Sequence, residues 1–187
     1  YSNEREMIYI NVSALKIGSE PYLSTLAHEL QHAAHWVADP SEVTWVQEGL
    51  AQIAETIVGY QPHSLKSFYR SPTISFLQWP LDPENSAPYY GGSFLFLKYL
   101  TDHYGTKQDI LNLVKEPLDG IQGINKYLMK LGYNITFDDV FKGWLVANVL
   151  DEPGNGHYSH VNADFRLRNT DTIHRKGTHL YSSPQYA

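Results

Sequence analysis

Between Ser19 and Gly59 the sequence holds two helical patterns with only a short turn between them, which commits the chain to two helices that pack on each other. Ser19 can cap the first, with Glu20 and Pro21 in its opening turn, and Asp39 and Pro40 stop it after about Val37. The second begins at Thr44, where Thr44 and Gln47 have capping-box spacing, and ends near Val58 with Gly59 as its stop. On the first helix Leu23, Leu26, Leu30, Ala33, Ala34 and Val37 gather on one face; on the second, Val46, Leu50, Ile53, Ala54 and Ile57 do the same. Burying the two stripes together would turn the two polar faces into one cleft.

Around this pair the chain reads as one mainly helical α+β domain. With 187 residues and 42% apolar content it can bury a single substantial core. The alternation of Met7 to Val12, with Ile8, Ile10 and Val12 on one side, predicts a half-buried strand ahead of the first helix, in a small mixed sheet. Residues 60–91 hold Pro62, Pro72, Pro80, Pro83 and Pro88, so loops with at most short helices are expected there. Helical patterns resume at Gly92 to Tyr104, Lys107 to Lys115, Ile121 to Leu131 and Phe137 to Leu150, with Thr106, Asp119 and Thr136 as candidate N-caps. The domain is expected to span 1–150, and 151–187 reads as a polar C-terminal extension.

The polar faces carry the chemistry. His28 and His32 are four residues apart, so their imidazoles project from the helix within about 40° of each other and can converge on one ion. Glu29, one residue on, is turned so that its carboxylate can reach an attacking water without ligating the metal. The chain has no cysteine, so any metal must be held by His, Asp or Glu. A catalytic tetrahedral site takes three protein ligands, and Glu48 on the second helix is the acid best placed to be the third. Glu55 lies two turns further along the same face, suited to orient a ligand imidazole. His35 also lies on the histidine side, but a fourth side-chain ligand would close the open position; it reads as a packing or cleft-edge residue. Spacing singles out none of His63, His103, His157, His160, His174 and His179.

These residues resemble a known group. HELQHAAHW followed by WVQEGLAQIAE is similar to the gluzincins, zinc peptidases in which a glutamate on the helix after HExxH completes the metal site. The run through YYGGSFLFLKYLTDHYG and TFDDVFKGWLVANVLDEPGNGHY looks like the hyicolysin family of bacterial neutral metallopeptidases, over about the first 158 residues. The resemblance implies a zincin-like fold, one catalytic zinc ion on His28, His32 and Glu48, and Glu29 as acid and base. It also implies a secreted enzyme acting on protein or peptide substrates. Related aminopeptidases place an oxyanion-steadying tyrosine at the start of a later helix, a position that Tyr90 fits, with Tyr89 as the alternative. The aminopeptidases' GxMEN substrate motif, expected near Asn3 to Met7, is absent, which favours an endopeptidase.

Two rival readings stay open at this point: an aminopeptidase of the same group, and a noncatalytic binding module stabilised by zinc. An acid at Glu29 argues against the second, because a structural zinc site has no use for it. A net charge of −6 without a basic run excludes a nucleic-acid footprint or a polybasic membrane anchor, and no apolar stretch is long enough to span a bilayer. The predicted strand at Met7 to Val12 could offer an edge to an extended peptide.

Overall fold

The protein is described here from a computed structural model, which covers residues 7–150, 154 and 156–161. Among the described residues seven α-helices follow one another: α1 (Glu20–Ala38), α2 (Thr44–Ile57), α3 (Ser64–Arg70), α4 (Ala87–His103), α5 (Ile110–Val114), α6 (Gly120–Lys130) and α7 (Phe137–Leu150). Short 3-10 turns cover Pro83–Asn85 and Gly156–Tyr158.

Helix α4 is the centre of the fold. Its run from Gly91 to Leu97 is buried without interruption, because apolar and small residues alternate around the whole helix rather than along one stripe. Helices α2 and α3 lie against it. Two glycines permit the close approach: a Cβ on Gly49 would sit 2.6 Å from Leu97 Cδ1 and 3.0 Å from the Ser93 carbonyl oxygen, and one on Gly91 would sit 2.5 Å from the Ser64 carbonyl oxygen. Behind this contact Trp45, Phe76, Phe96, Phe137 and Trp144 form an aromatic cluster with ring centroids 5.1–6.2 Å apart, mostly edge to face.

The helix boundaries follow the punctuation in the sequence, with exceptions that have local causes. Pro88 does not break a helix; it lies in the first turn of α4, where a missing N–H costs nothing, and so α4 begins five residues before Gly92. Thr44 is the first residue of α2 rather than its cap, and the expected capping box with Gln47 does not form. Instead Gln47 Nε2 donates to the Glu42 carbonyl at 2.7 Å. Asp119 does precede α6, but its side chain makes no capping bond. Thr136 directly precedes α7, but its hydroxyl does not accept from the first turn; its N–H and hydroxyl both donate to the Asp139 carboxylate at 2.9 Å.

Two expectations are corrected. The described residues contain no strand, so the expected small mixed sheet ahead of α1 is not found among them, and Met7 to Val12 runs as coil and turn. Alternation alone cannot make a strand; it needs a neighbour to satisfy its backbone. Nor does the apolar stripe of α1 meet that of α2: Leu23, Leu30 and Val37 are 37, 54 and 69% exposed. The helix packs on α2 through the opposite, polar side, which carries Ser24 and His28. The second helix keeps most of its stripe buried, with Val46, Leu50 and Ile53 inside and Ile57 outside.

The described part of the expected extension, Gly156 to His160, returns onto the end of α4. Tyr99 donates to the His157 carbonyl, and His103 Nε2 lies 2.8 Å from the Ser159 carbonyl. Residues 151–153, 155 and 162–187, including His174 and His179, lie outside the described residues.

Candidate metal centre

Helix α1 presents His28 and His32 to α2, and α2 returns Glu48. The His28 and His32 Nε2 atoms are 3.1 Å apart, and Glu48 Oε2 lies 3.1 Å from the first and 3.3 Å from the second. Three atoms arranged this way outline a triangular face. Metal–ligand bonds of about 2.0–2.1 Å at tetrahedral angles require donor atoms ~3.3 Å apart, so the spacing is compatible with one small metal ion held by all three. Among the described residues this is the one group of three or more His, Asp or Glu donors that could hold a metal ion. The side chains are 14, 26 and 15% exposed, so the cluster is largely but not wholly shielded from solvent.

Behind the triangle a second layer fixes its orientation. Glu55 Oε1 lies 2.9 Å from His28 Nδ1, so an Nδ1 proton is held there and Nε2 is freed to ligate. Glu55 is itself anchored by the Ser24 hydroxyl, which donates to its other oxygen at 2.5 Å. Ser24 precedes His28 by one turn on the same face of α1, a spacing that could have flagged it from the sequence once Glu55 was suspected.

Burial works to lower the pKa of His28, but its hydrogen bonds to Glu48 and Glu55 and the charges of both outweigh that and raise it to about 9. For Glu48, burial works upward and is overcome by His28 and His32, which bring it down to about 2. The group is therefore built to hold positive charge between two carboxylates. A metal ion would have to displace a proton from His28.

Tyr90 stands beside the triangle. It falls in the first turn of α4, its ring 6.4 Å from that of His28 and 4.9 Å edge-on from that of Trp79. Burial, together with the negative charges of Glu48 and Glu29, raises its hydroxyl pKa to about 12, so it remains a donor at any ordinary pH. The same influence places the half-buried Glu29 within electrostatic reach of Tyr90. Tyr89 instead packs against the core and Trp79.

His35 is 2% exposed and stands apart from the triangle, with Gln31 Nε2 3.4 Å from its Nδ1; burial lowers its pKa. It is a packing residue. The expected open ligand face of α2 narrows beyond Glu48, because Ser64 Oγ donates to Gln52 Oε1 at 2.7 Å and α3 covers that side. His103 and His160 are held by Ser159 and Asn148, far along the chain from the triangle. Sequence reasoning passed over Trp79, which lies in a proline-rich stretch with no periodicity to flag it, and Glu42, described below.

Fold and site together define a mainly helical protein with a His28–His32–Glu48 group able to hold a metal ion. Compared with models of known families, with curated proteins and with solved structures, the chain matches none of them. No described helix is long and apolar enough to cross a membrane.

Proposed function

We propose that the chain is a zinc-dependent endopeptidase, with His28, His32 and Glu48 as ligands and Glu29 as the general base. The observation that carries this reading is the convergence of three donor atoms at tetrahedral spacing; Glu29, next to His28 in the sequence, supports it through its charge on Tyr90. A structural site would fill its fourth position with protein and would have no use for Glu29. The resemblance of the two site helices to the gluzincins supports the same reading, including a zincin-like arrangement and an extracellular place of action.

Bound zinc supplies Lewis acidity and lowers the pKa of water towards about 7. The chain's residues do the rest. Glu29 takes the proton from the attacking water and passes it to the leaving amine. Tyr90, kept protonated, donates a hydrogen bond to the carbonyl oxygen as negative charge grows there. Glu55, braced by Ser24, holds the His28 ring so that Nε2 keeps its aim.

The discriminating experiment is digestion of a peptide library with blocked and with free N-termini. An endopeptidase cleaves both sets at internal bonds, and chelator stops it. Cleavage confined to free N-termini would replace the reading with an aminopeptidase. A zinc-loaded protein that cleaves neither would leave only a binding module.

A further inference from the structure

The starts of α2 and α6 and the segment from Ser75 to Gln78 enclose a pocket of about 620 Å³ that the metal centre does not use. Sites that hold ligands run to about 300–1,000 Å³, so this one has room for several peptide residues. Its walls mix apolar side chains, among them Trp45, Leu77 and Leu118, with polar ones such as Ser75 and Gln78, and of the described residues that line it only Asp119 is charged.

Asp119 is available because another residue has taken its usual work. It occupies the N-cap position of α6 without capping it, and its Oδ1 accepts a hydrogen bond from the Ser41 hydroxyl at 3.1 Å. Glu42 caps both helices instead: its Oε1 accepts from the Gly120 N–H at 2.8 Å and from the Val43 N–H at 2.6 Å. The Gly120 and Val43 N–H groups at the starts of α6 and α2 therefore already have an acceptor. Asp119 and Asp39 lie near enough to Glu42 for their charges to act on it, but Glu42 and Asp39 are buried and neither lines the pocket, so Asp119 is its one acidic group among the described residues. Apolar wall residues beside one carboxylate fit a side chain with a long aliphatic stem and a cationic head.

The pocket and the metal centre share α2 and are linked by neighbouring residues on a second side, although no lining residue belongs to the centre. On α2, Trp45 lines the pocket and Glu48 follows one turn later, about 4.5 Å along the axis. On the other wall, Phe76 is fixed in the core with its ring 5.6 Å from that of Trp45, and Gln78 faces the pocket. The next residue, Trp79, meets Tyr90, and Tyr90 meets His28. We infer that this pocket holds the substrate peptide on one side of the scissile bond, and that Asp119 selects an arginine or lysine side chain there. The inference rests on the peptidase reading above.

The test compares kcat/KM for blocked peptides that carry Arg, Lys, Leu or Glu at each position near the cleaved bond. It uses the wild-type protein, Asp119→Asn and Asp119→Lys. Binding of the Arg and Glu peptides to Glu29→Gln protein, with and without Asp119→Asn, is measured in parallel by calorimetry. At one position the wild type should favour Arg or Lys over Glu by tenfold or more. That ratio should fall by about tenfold in Asp119→Asn, the loss expected for one charge-assisted hydrogen bond, and turn towards Glu in Asp119→Lys. Equal turnover of Arg and Glu peptides at every position, or a loss that is the same for all peptides, would overturn the inference. Leu118→Trp, which fills the pocket and leaves the charge, should weaken Arg-peptide binding and serves if the Asp119 variants do not fold. If nothing is cleaved but the Arg peptide binds in an Asp119-dependent way, the pocket stands and the peptidase reading falls. If the Arg peptide neither binds nor is cleaved, both fall.

Discussion

Replacing Glu42 with glutamine should stabilise the protein above neutral pH and change little in acid. Glu42 is 6% exposed, and burial raises its pKa from 4.5 to about 7 despite the hydrogen bonds from Gly120 and Val43; the charges of Asp119 and Asp39 push the same way. The folded state therefore holds the Glu42 proton more tightly than the unfolded chain. The associated stability is complete below about pH 4.5 and is lost as pH rises through about 7. At about 1.4 kcal/mol per pH unit the loss amounts to about 3 kcal/mol by pH 8. Both backbone donors end on Oε1 alone, so a glutamine oxygen can keep both bonds while removing the charge. Urea unfolding of wild type and Glu42→Gln at pH 4 and pH 8, in excess chelator, reads the difference directly. The variant should match wild type at pH 4 and exceed it by about 3 kcal/mol at pH 8. A difference that does not change with pH, or a variant weaker than wild type at pH 8, would refute the reasoning.

Other consequences follow from the same geometry. Glu55→Ala removes the acceptor from His28 Nδ1 and should weaken zinc binding by about 10–100-fold, measured by competition with a chelating dye; Ser24→Ala should do the same more mildly. Gly49→Ala puts a methyl against the Ser93 carbonyl and shifts the residue next to Glu48. It should cost about 1–3 kcal/mol in thermal unfolding and lower zinc affinity as well, whereas a melting temperature at or above wild type would contradict the packing described. Tyr90→Phe should lower kcat by about 10²-fold with zinc content unchanged, in steady-state kinetics beside metal analysis; an unaltered kcat would remove Tyr90 from the mechanism.

How much of this was legible in the sequence depends on the range of each interaction. The limits of α1 and α2 were, because Pro21, the Asp39–Pro40 pair and Gly59 act on their own neighbourhoods. The metal triangle was too: an i, i+4 histidine pair shares a helix face whatever surrounds it, and Glu48 projects from the side of α2 that α1 meets. Periodicity located the stripe on α1 but could not say which side another element would cover, and so Leu30 and Val37 came out exposed. The alternation at Met7 to Val12 marked a segment able to pair, with no pairing partner among the described residues. Pro88 was read as an interruption because its effect depends on position within the turn, not on its identity. Glu42 reaches Gly120 across 78 positions, and no local pattern announces such a bond.

The central claim is that His28, His32 and Glu48 hold a zinc ion on which Glu29 works. Its most direct test is one paired measurement: zinc content and peptide hydrolysis of wild-type and Glu29→Gln protein prepared side by side. The account predicts about one zinc per chain in both, with hydrolysis in the wild type alone. Undiminished hydrolysis by Glu29→Gln, or an active protein without metal, would contradict it.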